Sequence, residues 1–343
     1  STRDETTVDA TAPAPGNGGT LTTANVGGTS VDVNWTVATD AVTSGSALEY
    51  RVYYSPANDI DTYANAQSNG TEATTWTADV ATATVSGLTN STPYWFNVFV
   101  RDEAGNVADY TTVSATTLDE TAPTPGNSGI IALSNESGSS VDLNWTAATD
   151  DASAQADLEY RVFYSTSDNI GDVASAQANG TVATTWTPND ISATVGGLSD
   201  ATTYWFNVLV RDEAGTPNLA AYATNVTTTL DVTDPVPGNG GTLATANLSG
   251  TSVDVNWTVG TDNGSAVADL EYRVFYSTSN DIDTVANAET NGTPANAWTA
   301  NIATLNVSGL TDATQYWLNV VIRDEAGNKA AFTTVSVTTP DGT

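Results

Sequence analysis

Apolar and polar residues alternate with a period of two along several short segments of the chain. Val31, Val33 and Trp35 fall on one face of an extended segment, and Asp and Asn stand between them. Two further segments have the apolar faces Leu48, Tyr50, Val52, Tyr54 and Tyr94, Phe96, Val98, Val100. Turns rich in Gly or in Asp and Asn separate the segments. This pattern predicts short antiparallel strands packed as an all-β sandwich.

The pattern occurs three times. The motif Tyr-Trp-Phe/Leu-Asn-Val-x-Val/Ile-Arg-Asp-Glu-Ala-Gly begins at Tyr94, Tyr204 and Tyr316, so the copies are 110 and then 112 residues apart. A period of this length is that of a whole domain rather than of a solenoid unit. The predicted organisation is an N-terminal segment 1–8 followed by repeats 9–118, 119–230 and 231–343.

The spacing within each repeat resembles the fibronectin type III family, in the form found as tandem arrays on bacterial surfaces. A Leu precedes the Tyr of the long motif by six residues, a Trp stands on the second predicted strand, and the third strand reads Tyr-x-Val-x-Tyr. The resemblance implies three tandem fibronectin type III-like antiparallel β-sandwich domains in an elongated rod. It also implies a tyrosine corner, in which the hydroxyl of Tyr94 bonds the backbone just upstream.

The segment from Pro56 to Asp79 is long for that fold and is predicted to hold a short helix near Asp61–Gln67. An aromatic strip on the outer sheet face is the candidate ligand surface, formed by Tyr53, Trp95, Phe99, Phe163, Trp205, Phe275 and Trp317. If exposed, it could stack on sugar rings or dock a protein. The alternative, which we favour, is that the long segment covers the strip, buries Trp76 against Trp95 and forms a second small core.

Composition excludes several functions. The net charge of −32 repels nucleic acid and anionic lipid, and the absence of Cys, His and Met excludes disulfides, thiolate sites and histidine chemistry. No apolar run is long enough to predict membrane insertion. Arg recurs at fixed positions in every repeat, which predicts cross-strand pairs with Glu49, Glu159 and Glu271.

Acidic residues recur at the start of each repeat, after the second strand and at the end of the long motif. On the fibronectin type III topology these positions lie at one pole. The candidate metal ligands are Asp9, Asp40, Asp102, Glu103, Asp119, Asp150, Asp212, Glu213, Asp231, Asp262, Asp324 and Glu325. Converging carboxylates repel unless a hard cation neutralises them, and oxygen-only ligands are typical of Ca²⁺.

Two alternatives to a calcium site stay open. The Asp-Glu-Ala-Gly-Asn segment is typical of a simple hairpin turn, and a surface adapted to high salt would also be acidic. In the second repeat the turn reads Glu213-Ala214-Gly215-Thr216-Pro217, which leaves Asn106 and Asn328 without an evident equivalent. Candidate glycosylation sites in Asn-x-Thr triplets are Asn34, Asn69, Asn144, Asn179, Asn256 and Asn291.

The sequence therefore predicts non-catalytic, calcium-stiffened extender repeats of an extracellular or cell-surface adhesin or filament. The expected partners are neighbouring repeats or subunits in head-to-tail contact. The alternative is a binding module that recognises a cell-surface glycan or protein through the aromatic face. Catalysis is disfavoured, because paired carboxylates recur in all three repeats without a catalytic pattern.

Overall fold

The computed structural model of the chain describes residues 8–342. Most of the predicted N-terminal segment 1–8, and any head-to-tail contact that it would make, therefore lies outside the described residues. The described chain divides into two compact units, and the division passes through the second repeat. Besides the residues up to Gly126, the first unit includes Ala147–Tyr160 and Val210–Ala220, and the remainder forms the second. The domain boundaries read from the sequence stay a prediction.

Each repeat is built from short strands and one α-helix. The first repeat has β1 (Leu21–Ala24), β2 (Ser30–Trp35), β3 (Glu49–Ser55), α1 (Tyr63–Asn69), β4 (Thr71–Glu72), β5 (Thr77–Ala78), β6 (Thr82–Ser86), β7 (Pro93–Arg101), β8 (Val107–Asp109) and β9 (Val113–Thr116). The second has β10 (Ile131–Ser134), β11 (Ser140–Trp145), β12 (Glu159–Ser165), α2 (Val173–Asn179), β13 (Thr181–Val182), β14 (Thr187–Pro188), β15 (Ser192–Gly196), β16 (Thr203–Arg211), β17 (Leu219–Ala221) and β18 (Asn225–Thr228).

The third repeat has β19 (Leu243–Ala246), β20 (Ser252–Trp257), β21 (Glu271–Ser277), α3 (Val285–Asn291), β22 (Thr293–Pro294), β23 (Thr299–Ala300), β24 (Thr304–Ser308), β25 (Gln315–Arg323), β26 (Lys329–Ala331) and β27 (Val335–Thr338). Short 3-10 turns lie at Gly16–Gly19, Gly45–Ala47, Gly126–Gly129 and Gly238–Gly241. The helix predicted near Asp61–Gln67 is therefore confirmed, two residues further along the chain.

The strands form two antiparallel sheets in every repeat, as the alternation predicts. In the first repeat one sheet has the order β1-β2-β6, and the other has the order β4-β3-β7-β8, with β5 on β3 and β9 on β7. The second repeat has β10-β11-β15 and β13-β12-β16-β17, and the third has β19-β20-β24 and β22-β21-β25-β26. The predicted β-sandwich is thus confirmed in each repeat.

The main core lies between the two sheets. Val31, Val33 and Trp35 are buried there from β2, and the predicted faces of β3 and β7 close it from the other side. The Tyr94 hydroxyl accepts a hydrogen bond from Thr89 N at 3.1 Å, and Tyr204 and Tyr316 repeat this contact with Ser199 N and Thr311 N. The tyrosine corner is therefore confirmed in all three repeats.

A second, smaller core lies on the outer face of the sheet that contains β3 and β7. Tyr53 and Phe99 are buried there beneath Ile60 and Ala66, which come from the long segment and its helix. Gly70 allows this close cover, because a Cβ atom at that position would lie 2.8 Å from Ala66 O. The favoured alternative from the sequence, a covered strip, is confirmed.

Three of the six recurring Arg residues pair with the predicted Glu residues, whereas Arg51 pairs with Glu72 instead. Arg101 Nε lies 2.6 Å from Glu49 Oε2, and the pairs of Arg211 with Glu159 and of Arg323 with Glu271 repeat the contact. The side chains are about one-third exposed, so each pair contributes modestly, within the roughly 0–1 kcal/mol usual for surface pairs. The Arg101 guanidinium also lies 4.6 Å from the centre of the Trp76 ring.

The outer face of the β1-β2-β6 sheet carries one Asp at its centre. Asp32 accepts hydrogen bonds from the Thr84 hydroxyl at 2.5 Å and from the Asn25 amide at 2.7 Å, which come from either side of β2. These two bonds hold the pKa of Asp32 below its usual value. Asp142 has equivalent partners in Thr194 and Asn135, and Asp254 accepts from the amides of Asn247 and Asn306; the pKa of both is likewise lowered. In each repeat a charged side chain on the middle strand thus connects the neighbouring strand with the turn that follows the first strand.

We expect Tyr94→Phe to destabilise the first repeat by about 1 kcal/mol, because the Thr89 N–H loses its partner. Tyr54→Phe is the matched control: its ring contacts Tyr94 at 5.7 Å between ring centres, but its hydroxyl accepts no backbone hydrogen bond within residues 8–342. Urea denaturation of the wild type and both variants measures the difference. Equal effects of the two substitutions would contradict a stabilising tyrosine corner.

We also expect the free energy of unfolding to fall with pH below about 4, the ordinary pKa of Asp. The folded pKa values of Asp32, Asp142 and Asp254 are lowered, so their contribution is present above the unfolded pKa and is lost as the pH falls through the folded values. In Asp32→Asn/Asp142→Asn/Asp254→Asn this part of the pH dependence should disappear. Denaturation curves between pH 3 and 6 provide the test, and an unchanged slope in the triple variant would rule out this origin.

Candidate metal centre

The first element of the candidate site is the entry segment of each repeat. Asp9 begins the segment Asp-Ala-Thr-Ala-Pro, and its Oδ1 atom accepts the N–H of Thr11 at 3.0 Å. Asp119 and Asp231 make the same contact with Thr121 N and Thr233 N. This local turn fixes one carboxylate oxygen on the backbone and directs the other away from it.

The second element is the loop that follows the second strand. Asp40 Oδ1 accepts the N–H groups of Val42 at 2.9 Å and of Thr43 at 2.7 Å, and these two bonds hold the pKa of Asp40 below its usual value. The same turn recurs at Asp150, whose partners are Ala152 N and Ser153 N, and at Asp262. In this loop, too, one carboxylate oxygen accepts the backbone hydrogen bonds and the other oxygen accepts neither of them.

The third element is the turn after the longest strand. Asp102 is 3% exposed, and its Oδ1 and Oδ2 atoms accept the backbone N–H and the side-chain amide of Asn106. The same amide also donates to the backbone carbonyl of Asp9 at 3.2 Å, so Asn106 connects the turn to the entry segment. Gly105 lies in the turn with a φ of 93°, which supports the hairpin-turn reading of this motif as well.

The structure brings the predicted residues of the first and third repeats together. Carboxylate oxygens of Asp9, Asp40 and Asp102 all lie within 4.8 Å of one another, and those of Asp231, Asp262 and Asp324 do the same. The side chains of Glu103, Glu213 and Glu325 belong to no such group within residues 8–342. The geometry therefore supports the Asp residues as candidate ligands and gives no support to the neighbouring Glu residues.

The second repeat differs. Its group contains Asp119, Asp150 and Asp151, and the exposed Asp151 stands where Asp212 was predicted. The turn is two residues longer, and Asn218 takes the structural place of Asn106: it donates to Asp212 Oδ2 at 2.7 Å and to Asp119 O at 3.2 Å. The expectation that this Asn has no equivalent is corrected. The two inserted residues move Asn218 away from the position that aligns with Asn106, but Asn218 makes the same two hydrogen bonds.

One oxygen in each group has no hydrogen-bond partner in the described part of the chain although it is buried. These atoms are Asp9 Oδ2, Asp150 Oδ1 and Asp262 Oδ1. Burial raises the pKa of Asp231, and the carboxylates of Asp262 and Asp324 act in the same direction. Two carboxylates about 4 Å apart repel by about 1 kcal/mol in water and by about 4 kcal/mol near a protein surface. The fold thus holds negative charges together at a cost that a cation would remove.

The size of each group fits a calcium ion. Two oxygens on opposite sides of Ca²⁺, each about 2.4 Å away, are about 4.8 Å apart. Oxygens within 4.8 Å of one another can therefore share one ion. Further oxygens would have to come from the backbone or from water, because Ca²⁺ takes about six to eight ligands.

The entry segment is also bonded to the preceding repeat. The Asn90 amide donates to Asp119 Oδ1 at 2.8 Å, and Glu120 N donates to Asn90 Oδ1 at 3.0 Å. In the next junction Asp200 takes the place of Asn90 and accepts a hydrogen bond from the Thr233 hydroxyl at 2.5 Å. The sequence analysis missed these residues, although Asn90 and Asp200 occupy the same position in successive repeats and so offered a signal.

The other predicted sites have different surroundings. Tyr53, Phe99, Phe163 and Phe275 are at most 5% exposed, so these four residues offer no ligand surface, in agreement with the favoured alternative of a covered strip. Trp76 packs on the second core beside Tyr63 rather than on Trp95 as expected. Trp95, Trp205 and Trp317 remain partly exposed.

The predicted glycosylation sites fall into two kinds. Asn34, Asn144 and Asn256 lie on strands of the smaller sheet. Asn69, Asn179 and Asn291 end the helices, and each side-chain amide donates to a backbone carbonyl ten residues earlier. At these helix ends, the side-chain nitrogen that would carry a glycan already donates a hydrogen bond to the backbone.

The fibronectin type III domain family model matches residues 13–117. Exoglucanase B from Cellulomonas fimi is 32% identical over 97% of this chain, and chitinase A1 from Niallia circulans is 34% identical over 66% of it. The chain spans only 26% and 28% of the length of these two relatives. The solved FN1-FN3 domains of chicken CNTN1 cover 96% of the chain, and the chain covers 100% of that structure, at 15% identity and a TM-score of 0.31. Every helix among the described residues is too short or too polar to span a bilayer.

We expect Asn90→Ala to loosen the junction that contains Asp119, because the Glu120 N–H loses its acceptor. Amide hydrogen exchange at Glu120 should become at least about tenfold faster, the factor that corresponds to about 1.4 kcal/mol of local opening free energy. Asn25→Ala is the control, because it removes an exposed Asn of the same repeat that bonds Asp32 instead. Equal exchange rates in all three proteins would show that this contact does not hold the junction.

Proposed function

The chain is an array of fibronectin type III domains, and we propose that it serves as a non-catalytic spacer of an extracellular protein whose repeats are stiffened by bound Ca²⁺. The observation that carries the proposal is the aspartate group at the start of each repeat, with a buried carboxylate oxygen that lacks a hydrogen-bond partner in the described chain. One aspartate group occurs in each repeat, as expected if bound Ca²⁺ stiffens every repeat of the array.

The relatives support the spacer part of the proposal. Their names describe enzymes that act on glucan and chitin, and this chain matches about a quarter of each. The parent protein could be an adhesin, a filament subunit or an enzyme with a spacer, and these matches favour the last. The same names favour an extracellular location, because a polymer that is too large to enter a cell is degraded outside it.

Binding of Ca²⁺ would act on the junctions through Asp119 and Asp231. Each of these residues belongs to an aspartate group, and each lies in a segment that is hydrogen-bonded to the preceding repeat. A cation that holds the Asp side chain would therefore restrict the segment between two repeats. The middle group, with the exposed Asp151 as a member, should bind more weakly than the other two.

A thermal melt in EDTA and in Ca²⁺, at constant ionic strength, tests the proposal. A site filled at 100 times its Kd adds about 2.7 kcal/mol, which raises the Tm of a domain of this size by roughly 10 °C or more. The informative variant is Asp40→Asn/Asp150→Asn/Asp262→Asn. Asn keeps the turn that accepts the two backbone N–H groups but removes the charge, so the variant should fold and lose the calcium response.

Glu103→Gln/Glu213→Gln/Glu325→Gln is the matched control, because it removes the same number of charges next to the site without touching the aspartate groups. It should keep the full response to Ca²⁺. If the wild-type Tm does not change with Ca²⁺ but rises with KCl, the calcium site is refuted and adaptation to high salt explains the acidity.

A further inference from the structure

Trp95 lies on β7, next to the covered strip but outside the second core. Its cross-strand neighbours are Ser55 on β3 and Ser114 on β9. Residues directly opposite in antiparallel strands have their side chains on the same face, so the indole of Trp95 stands between two of the smallest polar side chains. The ring is consequently left partly exposed at the edge of the covered region.

A groove of about 460 Å³ opens beside this ring, within the range of roughly 300–1,000 Å³ that is typical of ligand sites. Besides Trp95, its walls include Asn58, Asp61 and Ser114. Asp61 Oδ1 is held by the Asn65 amide at 2.7 Å, whereas the side chains of Asn58 and Ser114 form no hydrogen bond within residues 8–342. The groove therefore offers an aromatic face together with a carboxylate, an amide and a hydroxyl that can bond a ligand.

The three repeats provide an internal comparison. The third repeat has the same four residue types at the equivalent positions, Asn280, Asp283, Trp317 and Ser336. Its Asp283 is held by Asn287 at 2.8 Å, and its Trp317 again lies opposite two Ser residues. The second repeat keeps only the Trp, because the equivalent residues are Asp168, Gly171 and Val226 around Trp205. Val226 lies directly opposite Trp205, so the hydroxyl group that Ser114 places beside Trp95 is absent there.

We propose that the groove beside Trp95 and the equivalent surface beside Trp317 bind a neutral glycan chain, and that the equivalent surface of the second repeat does not. A pyranose ring has an apolar face of C–H groups that matches an indole, and its hydroxyl groups match the Asn, Asp and Ser side chains around the ring. The net charge of −32 disfavours acidic polysaccharides, which leaves neutral ones. This proposal is independent of calcium binding.

Titration with cellohexaose and chitohexaose, followed by the indole N–H resonances in NMR, tests the proposal. The resonances of Trp95 and Trp317 should shift with saturation, and that of Trp205 should not. Calorimetry should give two equivalent sites per chain. The same titration in EDTA should give the same result, which separates this proposal from the calcium site.

Residues that the second repeat has at the equivalent positions can replace the carboxylate and the hydroxyl of the groove, because the same fold already accommodates them there. Asp61→Gly/Ser114→Val should weaken binding in the first repeat at least about tenfold, the effect of one lost hydrogen bond, and should leave the Trp317 shift intact. Conversely, Gly171→Asp/Val226→Ser should create binding at Trp205. A Cβ atom at Gly171 meets only Thr224 Oγ1, at 3.8 Å, so an Asp fits there. Absence of shifts with both oligosaccharides, or equal shifts at all three Trp residues, would overturn the proposal.

Discussion

The central strand of each repeat is buried on both faces, and the rest of the domain follows from this constraint. In β7, Phe96 and Val98 face the main core while Phe99 faces the second one. A sandwich of two sheets covers only one of these faces, so a further element is needed. The segment after β3 provides it, and the fully buried Asn97 holds it by donating to Ile60 O at 2.8 Å. The groove beside Trp95 lies where this cover ends.

The acidic pole shows a different balance of forces. Its carboxylates are positioned by backbone N–H groups of short turns and by the amides of Asn106, Asn218 and Asn328 rather than by basic residues. These donors are neutral, so they fix the direction of each side chain without removing its charge. The carboxylates of the pole are therefore ordered in advance, and a cation that bound them would lose less free energy in ordering the site.

The strands, the tyrosine corner, the Arg–Glu pairs and the covering helix were predictable from the sequence, because each depends on residues at fixed spacing within one repeat. The convergence of Asp9, Asp40 and Asp102 was predictable only through the fold that the repeats resemble. Asn218 could not be found in this way, since a turn that is two residues longer moves it out of register with Asn106. Asp151 could not be found either, because it has no counterpart among the recurring acidic positions. Asn90 escaped notice because its role appears only when two successive repeats are in contact.

The junction between repeats has a consequence for how such arrays change in length. One half of each joint, Asn90 or Asp200, belongs to the end of a repeat, and the other half, Asp119 or Thr233, belongs to the start of the next. A recombination event that adds or removes a whole repeat therefore rebuilds a complete joint at the new boundary. A deletion of any other length leaves one half of a joint without its complement. Unequal crossing-over between the similar repeats can thus alter the reach of the parent protein in whole-domain steps while every interface stays intact.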